Sequence, residues 1–135
     1  MLNSYEEYVV FLSTLQERWR SIRGMKFKIY QTSVTKGVGS GTITFDRNIV
    51  LSFNEQINFK HKRLAKYGYV VYQAGEKLYY YDPQPHPHDS SLAATHPHHK
   101  HIPPDLKRHR IPAPDISFDR SNLEFLIREI ETTLL

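Results

Sequence analysis

The chain has no cysteine, no proline before position 83, and no apolar run of membrane-spanning length. Without cysteine there are no disulfides, no thiolate zinc sites and no sulfur nucleophile. A membrane helix needs about 20 consecutive apolar residues, and nothing here approaches that length. The opening "MLNSYEEYVVFLS" sets acids, not bases, ahead of a short apolar run, unlike a signal peptide. A cytoplasmic protein that does not enter a membrane is expected.

What is present suits one compact domain spanning 1–135. The chain has 135 residues, 39% of them hydrophobic, enough for a real core. The net charge is +4, and it is unevenly spread. Between Lys60 and Arg110 nine Lys or Arg face four acids. An anionic partner would therefore meet the middle of the chain.

Ser4 and Glu7 have capping-box spacing, and Tyr5, Tyr8, Val9, Leu12, Leu15, Trp19 and Ile22 repeat with helical period. One helix ending near Gly24 is predicted. From Met25 the period becomes two. "KGVGSG" (36–41) reads as a turn or bulge, and no helix or Lys-Ser/Thr pair follows to make it a phosphate loop. "TITF" and "IVLSF" flank Asp46-Arg47-Asn48 as a hairpin. "INFKHKR" alternates as a further strand, its isolated His61 read as a structural residue. "YGYVVYQ" and "KLYYYD" flank Ala74-Gly75-Glu76 as a second hairpin. At least one of Tyr79 and Tyr80 must be core, since consecutive strand residues cannot share a face. At the end, Ser121 and Glu124 have capping-box spacing ahead of Leu123, Leu126, Ile127, Ile130 and Leu134, a second helix. Five or six antiparallel strands with terminal helices and no helical crossovers make an α+β fold. The expected architecture is a curved sheet with both helices on one side.

After Asp82 the composition changes. All eight prolines and seven of the eight histidines fall between Asp82 and Asp115. The stretch 83–115 therefore reads as a long loop, crossing an edge or the open face of the sheet. Each proline pushes the residue before it toward extended geometry, where residues two apart share a side. That pairs His86 with His88, His96 with His98, and His99 with His101, and it turns His98 away from His99.

Three chemistries fit such a segment. Imidazoles could ligate zinc or another divalent metal, although the spacing matches no helical His-x-x-x-His pair. The segment could be polar loop and nothing more. Or the histidines could cleave RNA by acid–base catalysis, which needs no cofactor because the 2′-hydroxyl is a tethered nucleophile. In that reading His98, His99 and His101 form the catalytic set, and His86 and His88 support them. Asp82 orients a neighbouring imidazole, and Lys100 and Arg108 hold the phosphate. Lys107 and Arg110 add cations. Upstream, Lys60, Lys62, Arg63 and Lys66 mix with Tyr67, Tyr69, Tyr72, Tyr79, Tyr80 and Tyr81. Phosphate contacts combined with base stacking suit single-stranded RNA.

"YYYDPQPHPHDSSLAATHPHHKHIP" resembles the signature of the TumE-like toxins of prokaryotic toxin–antitoxin systems. That signature is a strand ending in Arg-Tyr-Asp-Asn, a Pro-His-His element, and a Pro-His-His-x-His element before a C-terminal helix. Tyr81-Asp82, Pro85-His86 and Pro97-His98-His99-Lys100-His101 match in order. Tyr80 replaces the usual Arg, Pro83 the usual Asn, and Pro87 splits the first histidine pair. The resemblance implies a toxin that acts on RNA and is neutralised by a cognate antitoxin protein; a homodimer is left open. The competing functions are a non-catalytic RNA- or DNA-binding module and a metal-dependent hydrolase.

Overall fold

A computed structural model describes residues 1–83 and 98–135. Two short helices, α1 (Tyr5–Ser13) and α2 (Leu15–Arg18), precede five strands: β1 (Gly24–Gln31), β2 (Lys36–Thr44), β3 (Ile49–Asn58), β4 (Arg63–Gln73) and β5 (Glu76–Asp82). Two three-residue strands follow, β6 (His99–His101) and β7 (Arg110–Pro112), and then helix α3 (Leu123–Thr133). The strands form one antiparallel meander in the order β1-β2-β3-β4-β5-β6-β7. Among the described residues the sheet thus has seven strands, not five or six. The two extra ones come from within 83–115, where three-residue strands leave no periodicity to read.

Alternation along β3 sets the two faces. Ile49, Leu51, Phe53 and Ile57 are buried with Leu64, Tyr67, Tyr69, Val71, Tyr79 and Tyr81 of β4 and β5. Tyr8, Phe11 and Leu12 of α1 and Leu123, Leu126, Ile127 and Ile130 of α3 join the same core. Both terminal helices therefore pack on one face, as expected from their apolar stripes.

Local chemistry departs from the sequence reading in four places. The first helix does not run on to Gly24. It breaks at Thr14, whose hydroxyl donates to the Val10 carbonyl at 2.7 Å, and α2 ends before Trp19, which is extended. Second, "KGVGSG" is the start of β2 and not a turn. Its glycines are there for space: a Cβ on Gly39 would collide with the Tyr8 ring, and one on Gly41 with the β1 backbone. Third, residues 59–62 turn instead of extending, with Lys62 in the left-handed region and the Asn58 side chain accepting from His61 N at 3.1 Å. Fourth, Asn122 is the N-cap of α3, without a side-chain capping bond. The Ser121 hydroxyl instead donates to Glu55. The Ser4 cap of α1 does form, accepting from Glu7 N at 3.1 Å.

Glu55 is the one acid among the buried positions of β3, fully enclosed. Tyr8 donates to it at 2.8 Å, Tyr69 and Ser121 also donate, and Asn122 N reaches it at 3.3 Å. Burial raises its pKa above the ordinary carboxylate range, and the surrounding donors pull it partly back. This cluster ties α1, β3, β4 and the start of α3 together.

Candidate functional site

β5 ends in Tyr79-Tyr80-Tyr81-Asp82, and alternation sends Tyr79 and Tyr81 to the helices and Tyr80 and Asp82 to the other face. β6 pairs with it so that Tyr80 faces His101, Tyr81 faces Lys100, and Asp82 faces His99. Residues directly opposite in an antiparallel pair share a side. His99, His101, Tyr80 and Asp82 therefore gather on the face turned away from the helices, while Lys100 points toward α3. This is the open face in the sense that no described helix packs on it.

His101 is held on three sides. Nδ1 lies 2.8 Å from the Leu106 carbonyl, which only accepts, so this nitrogen carries a proton. Nε2 lies 3.2 Å from Asp82 Oδ1. The Tyr80 ring stacks on the imidazole, with centroids 4.1 Å apart and planes within 8°. The Tyr80 hydroxyl donates to the same Leu106 carbonyl at 3.3 Å. Burial and, next, the Asp82 charge raise its pKa, which keeps it a donor. His99 is 0% exposed and His101 3%, whereas Asp82 is partly exposed.

The open face is basic. By register it carries Lys26, Lys28, Lys36, Arg63, Lys66, Lys77 and Arg110 from the strands, against a single strand acid, Asp82. Arg110 stands opposite His101 and anchors its Nε on the Lys107 carbonyl at 3.0 Å. Lys77 lies over the Tyr80 ring at 5.3 Å.

The sequence-predicted residues divide. His99, His101 and Asp82 come together. His98 lies on the helix side, its Nδ1 2.7 Å from the Tyr67 hydroxyl and its ring against Phe118 at 4.7 Å. Lys100 pairs with Glu129 at 3.2 Å and lies over the rings of Tyr79 and Tyr81. The Tyr81 hydroxyl donates to the same carboxylate at 2.7 Å. Neither Lys100 nor Tyr81 reaches the open face. Tyr67 and Tyr69 are core and not stacking surface. Arg108 is solvent-facing, its side chain 86% exposed and 3.7 Å from Asp105. Lys60 and Lys62 occupy the exposed β3–β4 turn. His86 and His88 lie outside the described residues, in the stretch that joins Pro83 to His98. Among the described residues no three His, Asp or Glu side chains cluster as a metal site would require. No described helix is long and apolar enough to cross a membrane.

Sequence reading gave Arg110 no more than a general cationic role and did not foresee the Tyr80–His101 stack. Both depend on the β5–β6–β7 pairing. Glu55 was also missed, although an acid in phase with Ile49, Leu51, Phe53 and Ile57 was a readable signal.

The model of the family described as Toxin TumE matches residues 12–134. The chain belongs to this family, whose members are toxins of toxin–antitoxin systems, and membership implies a cognate antitoxin. No curated protein matches the chain, and no solved structure does.

Proposed function

We propose that this toxin is a ribonuclease that cleaves RNA by histidine acid–base chemistry without a metal, at the group formed by Asp82, His99 and His101. The observation that carries the reading is the Asp82–His101 contact on a face where strand cations outnumber acids seven to one by register.

In this mechanism the ribose 2′-oxygen attacks phosphorus and gives up its proton to a base, while the P–O5′ bond breaks and an acid protonates the leaving oxygen. The products are a 2′,3′-cyclic phosphate and a 5′-hydroxyl. Asp82, the partly exposed member, positions His101 and marks where the ribose enters. His101 and His99 exchange the protons, with His86 and His88 as supporting groups. Arg110 takes the phosphate-binding role expected of Lys100, because Lys100 is committed to Glu129.

A second reading, RNA binding without cleavage, draws on the burial of His99 and His101. Incubation of the purified chain with single-stranded RNA in EDTA separates the possibilities. New 5′-hydroxyl ends are expected. Retention of intact RNA favours the binding module, and cleavage that EDTA abolishes and zinc or manganese restores favours a metal-dependent hydrolase.

A further inference from the structure

The sheet has two edges among the described residues, and they differ. β7 is three residues long and contains Pro112, which has no N–H to offer. β1 is eight residues long and, among the described residues, has no strand on its outer side. An unpaired edge of that length is a template for another strand. At its far end the Tyr5 hydroxyl of α1 donates to the Ile29 carbonyl at 3.4 Å.

The side chains along the open stretch alternate in character. Lys26 and Lys28 project on the open face, and Phe27 projects between them on the helix side, 38% exposed. Tyr30 is 50% exposed. Beside Phe27 on the neighbouring strand is Gly41, which has no side chain to cover it. Lys26, Phe27, Lys28, Ser40, Gly41 and Thr42 line a surface hollow of about 310 Å³. Edge lysines by themselves serve to keep copies of a protein apart. An exposed phenylalanine between them works against that purpose and needs another explanation.

We propose that β1 is the docking strand for the cognate antitoxin, which adds an extended segment whose acidic residues alternate with apolar ones. Such a segment lays two carboxylates beside Lys26 and Lys28 and one apolar side chain beside Phe27, following the two-residue period of a strand. A second copy of this chain fits poorly. Antiparallel pairing of two β1 strands about Phe27 sets Lys26 of each against Lys28 of the other, and pairing about Lys28 sets the two Lys28 side chains together. Docking here does not depend on what the toxin cleaves. If the open face binds RNA, the same carboxylates also neutralise two of its cations.

The test is amide hydrogen exchange of the full chain, alone and in complex with its co-expressed antitoxin. Exchange across Met25–Lys28 is expected to slow at least tenfold in the complex. Unchanged β1 amides with protection elsewhere would overturn the proposal. So would slowing by RNA but not by antitoxin, or a free chain that sediments as a dimer with β1 already protected. In parallel, Phe27→Ser is expected to arrest growth like the parent yet escape neutralisation. The double variant Lys26→Glu/Lys28→Glu, altered at two exposed positions, is expected to lose at least tenfold in antitoxin affinity with an unchanged circular dichroism spectrum and melting temperature. Full neutralisation of Phe27→Ser together with undiminished affinity of the lysine variant would also overturn it.

Discussion

Asp82 and His101 meet across β5 and β6, carboxylate oxygen to ring nitrogen at 3.2 Å, while the Leu106 carbonyl fixes the opposite nitrogen of the ring. The two contacts fix the ring's orientation. Asp82→Asn keeps the shape and removes the charge. Cleavage by this variant should fall by about 10²–10⁴-fold, the usual scale for loss of an acid–base partner. Its melting temperature should change little, since the amide oxygen of Asn can still accept from His101 Nε2. Single-turnover rates on a short RNA, measured beside a thermal melt, check both halves.

The cations separate by face. Arg110→Ala should weaken RNA binding at every sequence and lower the slope of log affinity against log salt by about one, as loss of one phosphate contact does. Lys100→Met should leave that slope unchanged. It should instead destabilise the fold by about 1–3 kcal/mol, because Glu129 is left in a largely buried position without its ion-pair partner. Salt-dependent RNA binding and urea unfolding of the two variants give the comparison.

Glu55 predicts a pH dependence of stability. Burial raises its pKa in the folded state above the unfolded value, so folding takes up a proton between the two. Its contribution is fully present below the ordinary carboxylate pKa and is lost as pH rises through the raised one, with a slope of up to about 1.4 kcal/mol per pH unit. Glu55→Gln has no such proton to lose. Urea unfolding from pH 4 to 8 should show parent stability declining relative to Glu55→Gln across that window and then levelling.

Much of this arrangement could be read from the residues. Period-two alternation and the Asp46-Arg47-Asn48 and Ala74-Gly75 turns marked the central strands, and Arg47, Asn48, Ala74 and Gly75 do take positive φ. The proline-imposed extension before His98 predicted that His98 and His99 face opposite sides, and they do. Other parts depended on contacts remote in sequence. The glycines of β2 looked like a turn because the bulk that fills their space belongs to Tyr8. Ser121 looked like a cap because its actual partner, Glu55, is 66 residues away. Lys100 looked like the phosphate ligand and Arg110 like one more cation until the strand register assigned the first to Glu129 and the second to the face of His101.

The most direct test compares two histidines three positions apart. His101→Gln and His98→Gln remove imidazoles from opposite faces of the same strand region. In EDTA, production of 5′-hydroxyl RNA ends by His101→Gln should fall by about 10²–10⁴-fold, while His98→Gln should stay within a few-fold of the parent. Equal activity of His101→Gln and the parent, or a greater loss in His98→Gln, would contradict a site built on Asp82, His99 and His101.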